Sequence, residues 1–328
     1  MSARGNWNVC EADFPASGSQ RQKLGFVLKY ATLSPTEINW QPWEFRLAET
    51  YFELICKADP ALEAVDPDGR EVMIGCGSAL YYLKLALKHF GCLGRVELFP
   101  DLSQPMLAAR IHFGYGSERD AQEKSFFEAM IATRVNSSSL GESPVSQSTL
   151  AVLSQTLAGE RGWLEFTQSK MSHQRVLEIT QAVGDRSQSM DGLSGYPSSV
   201  ATRWESPRWP RPLFAFGSHD DDREKVMVEP PRQFSIPDAT LAVVKTKTDD
   251  KHGWLAAGQT MARAVVQANV LGLSWAFFDQ VRRREVRAAL RSGIGHKGFA
   301  QVILRFGSLM SGEAVRLTQP TVATATFR

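Results

Sequence analysis

Between Ser34 and Trp43 the chain reads Ser-Pro-Thr-Glu-Ile-Asn-Trp-Gln-Pro-Trp, and Thr36, Asn39 and Gln41 place short hydrogen-bonding groups on a stiff frame. Pro35 and Pro42 fix φ and interrupt any helix, so the segment is a turn leading into a strand at Trp43-Glu-Phe-Arg-Leu47. One hydroxyl and two amides on a rigid loop suit a planar ligand that both donates and accepts hydrogen bonds. They also suit an ordinary polar loop that satisfies its own backbone, and composition alone favours that loop.

A second candidate is Glu71-Val-Met-Ile-Gly75-Cys-Gly77-Ser-Ala-Leu80, read as a strand, a Gly-x-Gly turn and a helix, with Glu97 at the end of the next β-like run. This nearly matches a dinucleotide or S-adenosylmethionine site, where glycines admit a phosphate or carboxylate to a helix N-terminus. Leu80 stands where the third small residue belongs and crowds the helix–strand contact. Ser218-His-Asp-Asp-Asp222 lacks the spaced partners a transition metal needs and reads as a solvated acidic loop, so no metal site is expected. Arg282-Arg-Arg-Glu-Val-Arg287 reads as the exposed start of a helix, with charge that suits an anion such as the NADPH phosphate. Neither His-Glu-x-x-His nor Gly-x-Ser-x-Gly occurs, so hydrolase chemistry finds no support.

The 34–43 segment resembles the Ala-Pro-Ser-x-x-Asn-x-Gln-Pro-Trp signature of FMN-dependent nitroreductases, with Thr36 in place of the serine. Its context is similar to the Acg-like branch, in which one chain carries two nitroreductase units. Asp66-Pro-Asp-Gly-Arg-Glu71, Gly75-Cys-Gly77, Trp254-Leu-Ala-Ala-Gly-Gln259 and Leu304-Arg-Phe-Gly307 carry the resemblance onward. It implies an α+β, nitroreductase-like fold of two fused repeats forming a pseudo-dimer, with units at 20–130 and 131–320. The Trp- and Pro-rich stretch at 183–235 resembles a lid over the flavin, and reads equally as a surface loop anchored by tryptophans.

By the same resemblance Thr36, Asn39 and Gln41 meet FMN from the first unit, and Arg134, Asn136 and Ser138 from the second. Arg134 and Asn136 match a family element that holds the phosphate and ribityl end. Ser138 replaces an arginine that would stabilise negative charge on the reduced ring, so this flavin is expected to be harder to reduce unless another cation substitutes. Gly272 opens a segment that passes near flavin N5, and Arg316 aligns with a late phosphate-binding arginine. No catalytic side chain is needed, because the cofactor carries the hydride chemistry. The implied activity takes hydride from NAD(P)H, a transient reductant, to a small electron-poor acceptor, with one FMN per chain. Two alternatives stand beside it: a non-catalytic protein that binds or sequesters FMN, and a degenerate FMN-free unit acting with a partner protein.

The elements around these residues repeat. Gly77 to Gly91 and Gly258 to Gly272 are both helical stretches closed by a glycine that suits a left-handed C′ position. Each is followed by a β-like run, Arg95–Phe99 and Leu273–Phe278, and preceded by another, Glu71–Ile74 and Leu241–Thr246. Farther on, Met106–Gly114 parallels Phe299–Gly307, so helix, strand and strand recur in one order.

Composition bounds the rest. In 328 residues, 37 Lys+Arg against 35 Asp+Glu leave a net charge of +2, without the basic surplus of a nucleic-acid binder. The longest uncharged stretch, Ala264–Phe278, is too short and polar to span a bilayer, so no membrane partner is expected. The N-terminus lacks an apolar signal core, which points to the cytoplasm. Cys10, Cys56, Cys76 and Cys92 form no C-x-x-C pair and read as reduced and buried. The chain is expected to be a monomeric pseudo-dimer or to pair further as a homodimer.

Overall fold

The computed structural model describes residues 9–36, 41–57, 66–116, 120–131, 145–157, 161–167, 174, 176, 178–179, 240–278, 284–293 and 297–308. It is α+β. Among the described residues the helices α1 (Gln20–Ala31), α2 (Arg70–His89), α3 (Ala121–Ile131), α4 (Gln147–Thr156), α5 (Lys251–Val270) and α6 (Arg284–Gly293) accompany two sheets. Strands β1 (Trp43–Leu47), β2 (Tyr51–Cys56), β3 (Leu93–Leu98) and β4 (Leu107–Phe113) form one antiparallel sheet, in the order β1-β2-β4-β3. Strands β5 (Gly162–Phe166), β6 (Thr240–Thr246), β7 (Leu273–Phe278) and β8 (Phe299–Ser308) form the other, in the order β5-β6-β8-β7.

The two sheets share more than strand order. Each carries an irregularity at the same step: Leu54 and Ile55 pair with Ala109 and Leu107, skipping Ala108, and Val244 and Lys245 pair with Val302 and Ala300, skipping Gln301. Ala108 and Gln301 are thus equivalent bulge residues, whose backbone is free to bond elsewhere. Phe99 N–H donates to the Ala108 carbonyl, and the Arg70 guanidinium donates to that of Gln301.

Local chemistry sets the helix ends. Ser19 and Gln22 close a capping box at the start of α1. Asp250 caps α5 by accepting from Gly253 N–H at 2.9 Å. Gly91 and Gly272 follow the C-caps of α2 and α5 at φ +64° and +68°, the left-handed positions their sequence spacing predicts.

The expected strand at Glu71–Ile74 is instead the first turn of α2. Gly69 at φ +67° turns the chain into the helix, and Asp66 Oδ2 accepts from Val72 N–H at 3.1 Å. An apolar run entering Gly-x-Gly reads as a strand only while its packing is unknown. α2 buries every residue except Glu71, Lys84 and Lys88, so it has no polar face to reveal a helical period. The Gly-x-Gly helix-start reading falls with it, since Gly75 and Gly77 lie inside the helix.

α2 and α5 cross with their backbones in contact. A Cβ on Gly77 would strike the Leu255 carbonyl and lie 3.1 Å from Gly258 Cα; one on Gly258 would strike the Ile74 carbonyl and lie 2.9 Å from Gly77 Cα. Leu255 and Ile74 each precede the opposing glycine by three residues, so the contact is reciprocal, as at an isologous interface. Sheet one packs on α1, α2 and α3 in one core, and α5 packs on sheet two in another.

Candidate functional site

The 34–43 loop seats on α2. A Cβ at Gly75 would lie 3.0 Å from Pro42 Cγ and 3.7 Å from Thr36 Cγ2, so the missing side chain is what admits the loop. Ser78 Oγ donates to the Pro35 carbonyl at 2.7 Å and Cys76 Sγ to the Pro42 carbonyl at 3.4 Å. Lys57 N–H donates to the same Pro42 carbonyl at 2.9 Å, tying the loop to the end of β2. Gly75-Cys-Gly77 therefore has one task per residue: Gly75 admits Pro42, Cys76 holds its carbonyl, and Gly77 admits α5. The loop and the helix crossing occupy different faces of a single turn of α2.

Within the loop, Ser34 Oγ donates to the Ala31 carbonyl at 2.8 Å and is spent locally. Thr36 is half-buried. Gln41 Nε2 donates to the Thr32 carbonyl at 3.3 Å, whereas Gln41 Oε1 is buried and has no partner among the described residues. An orphaned amide oxygen is costly and calls for a donor. The N3–H edge of a flavin ring, flanked by two carbonyls, is a donor of that kind, so the described part of the loop fits the group its motif implies.

Of the other expected site residues, Asn39, Arg134, Asn136, Ser138 and Arg316 lie outside the described residues, as does the segment 183–235. Gly272 is exposed at the end of α5, where its N–H donates to the Asn269 carbonyl. Asn269 Nδ2 in turn donates to the Ala129 carbonyl of α3 at 3.4 Å, and no hydrogen bond among the described residues joins Gly272 to the loop.

Sequence reading missed a buried polar cluster where α2 begins. Arg70, 3% exposed, pairs with Glu71 and donates through Nε to Gln301 Oε1 at 3.2 Å. Gln301 Nε2 donates to Thr246 Oγ1 at 3.0 Å and to Asp249 Oδ1 at 3.1 Å, and Trp254 Nε1 donates to the same Asp249 oxygen at 2.8 Å. Burial alone would raise the Asp249 carboxyl, but the Trp254 and Gln301 donors, with Arg287 and Arg70 nearby, hold it below the usual carboxylate range. The cluster fastens the helix that carries the loop to the second sheet. Its members lie far apart in sequence, so no short motif announces them.

Three of the four cysteines are buried, and Cys10 is exposed where burial was expected, beside a short 3-10 turn with no buried residues. Among the described residues no group of three or more His, Cys, Asp or Glu is placed to hold a metal ion. No described helix is long and apolar enough to cross a membrane.

Proteins named NAD(P)H nitroreductase in two strains of Mycobacterium tuberculosis, CDC 1551 and H37Rv, are 26% identical to this chain over 297 residues. The match covers 86% of this chain and 83% of the relative. Acg of the same organism, also named an NAD(P)H nitroreductase, is 32% identical over 87 residues, 26% of each chain. These relatives support the nitroreductase superfamily for this chain. Acg is among its relatives. No family model matches the sequence. A crystal structure of an FMN-bound nitroreductase from Bacteroides fragilis aligns with 62% of this chain and 97% of its own, at 14% identity and a TM-score of 0.40, a loose likeness and no more.

Proposed function

We propose that the chain is an FMN-binding oxidoreductase of nitroreductase type, passing hydride from NAD(P)H to a small electron-poor acceptor. The observation that carries this reading is the orphaned Gln41 Oε1 in the superfamily's own loop, seated on Gly75. The length of the match to the mycobacterial nitroreductases supports it. FMN, when bound, supplies the hydride-accepting and hydride-donating chemistry. The protein's part is to bind, orient and exclude water. Gln41 Oε1 accepts a ring N–H, Thr36 and Asn39 complete that edge, and Pro42 stiffens the loop against α2. By the resemblance Arg134, Asn136 and Arg316 would hold the phosphate and ribityl end, a guanidinium being able to give a phosphate two N–H donors, and Gly272 would open the segment that passes near the ring.

The two units are read as copies in a pseudo-dimer, which the common strand order, the equivalent bulges and the reciprocal glycine crossing support. Their loops differ. Residues 32–42 join α1 to β1, whereas 157–161, about half as many, join the equivalent α4 to β5. The second unit thus lacks room for a loop of the first kind, which supports one FMN per chain.

The absorption spectrum of protein purified without added cofactor tests this. Two flavin bands, with FMN released on denaturation and oxidation of NAD(P)H in the presence of a quinone or nitroaromatic, are expected. Gln41→Leu should loosen FMN about tenfold, the worth of one hydrogen bond, and Arg134→Ala should loosen it further. A spectrum that stays flat after incubation with FMN overturns the assignment. Ser138, a hydroxyl where the superfamily places a cation, favours the second reading of a flavin-sequestering protein. Bound FMN without turnover would decide for that reading.

A further inference from the structure

Three sulfur atoms gather beneath the loop. Cys56 ends β2, and Met73 and Cys76 lie one helical turn apart on α2. Cys56 Sγ donates to Met73 Sδ at 3.5 Å, and the Cys76 thiol, pushed up by burial, is pushed further by Cys56 beside it. The Pro42 carbonyl fixes both ends of the arrangement, accepting from Cys76 Sγ on one side and from the backbone N–H of Lys57, the neighbour of Cys56, on the other. Cys56 is 3% exposed and Cys76 fully buried, and both belong to the first core.

We propose that Cys56 and Cys76 form a modification site, a thiol pair that hydrogen peroxide converts to an intrachain disulfide. In the first step Cys56 Sγ attacks one peroxide oxygen, the O–O bond breaks, and Cys56 sulfenic acid and one water result. In the second, Cys76 Sγ forms the S–S bond as the S–O bond breaks, and the hydroxyl leaves as water with the Cys76 proton. Two thiols are oxidised and one peroxide is reduced to two waters.

The roles follow from place. Cys56 precedes exposed Lys57 and lies nearer the surface, so a neutral oxidant little larger than water meets it first. Cys76 is fully buried and farther from the entering oxidant, so it is left to close the disulfide. Bond formation draws Cys76 Sγ off the Pro42 carbonyl and releases one of the two donors on that carbonyl. The pair stands whether or not a flavin occupies that loop.

The test uses the intact protein, exposed to graded peroxide, then denatured, alkylated and digested for mass spectrometry. Expected is a linked Cys56–Cys76 peptide pair, lighter than the sum of its parts by two hydrogens and abolished by dithiothreitol, with both thiols lost together. The Cys76→Ala protein should stop at singly oxidised Cys56. Oxidation confined to exposed Cys10, Met73 sulfoxide beside two intact thiols, or sulfinic acid at Cys56 with Cys76 still alkylated would each overturn the proposal. Flavin content does not enter the readout, so failure here is separable from failure of the nitroreductase reading.

Discussion

Sheet one turns a ladder of charges outward, and sheet two covers the same register with apolar side chains. Across sheet one the row runs Arg46, Glu53, Arg110, Glu97, alternating in sign from β1 to β3. Glu53 lies between Arg46 at 3.4 Å and Arg110 at 2.8 Å. The matching row of sheet two is Glu165, Val243, Ile303, Phe278. There Val243 and Ile303 pack beneath Val286 and Leu290 of α6, with Val176 and Ile179 beside them. α6 lies between β7 and β8, a connection that holds no helix in the first unit. One topology thus tolerates a solvated or a covered face, and the residues on the outer row record which.

The helix starts differ in the same way. Arg70 opens α2 inside the Gln301–Asp249 cluster, while Lys251 opens α5 over the ring of Phe99, 4.8 Å from its centroid, with His252 against the ring edge. One clasp is buried and hydrogen-bonded. The other is a cation over an aromatic ring.

Substitutions can break this comparison. Val243→Asp, which buries a charge in the covered row, should cost about 4 kcal/mol in denaturant unfolding; a loss under about 1 kcal/mol would mean the face is not sealed. Arg70→Met should cost about 3 kcal/mol, since it strips a guanidinium from a buried cluster. Lys251→Met should cost below about 1 kcal/mol, the worth of a half-buried cation over a ring. Equal losses at Arg70 and Lys251 would erase the distinction between the clasps. Glu53→Gln, which keeps size and removes the charge both arginines share, should cost about 1 kcal/mol, and that loss should shrink in high salt.

A pH profile gives the finest test. The Asp249 carboxyl lies below its unfolded value, so the folded state binds its proton less readily than the unfolded chain. Its stabilisation is complete above about pH 4, the ordinary carboxylate value, and is lost as pH falls through the lower folded value. Asp249→Asn should therefore flatten that part of the acid limb. Asp66 works the other way: burial, only partly offset by the backbone N–H groups of Glu71, Val72 and Arg70, raises its carboxyl. Asp66→Asn should leave a steeper acid loss than wild type.

Much of the fold was legible in residue order. Alternation in Phe52-Glu-Leu marks a strand with one polar face, and the unbroken Leu241-Ala-Val-Val marks one covered on both. The glycines after α2 and α5 were readable because a left-handed residue past a helix has a local cause. The candidate site was legible at Thr36, Gln41 and Pro42, where prolines and short polar groups announce a stiff loop. It was not legible at Cys76, Ser78 and Gly75, which looked like parts of a nucleotide turn until their neighbours were known.

The positions of β1, β3, β4, β6, β7 and β8 and the glycine ends of α2 and α5 were readable from the sequence alone, since each depends on backbone sterics and on side chains within a few residues. The tertiary structure decided the rest. It made Glu71–Ile74 helical, because the close crossing at Gly77 and Gly258 and the seat for Pro42 at Gly75 outweigh the poor helix propensity of glycine. It also brought Arg70 to Gln301 across most of the chain, because a guanidinium taken out of water must find acceptors wherever the fold supplies them.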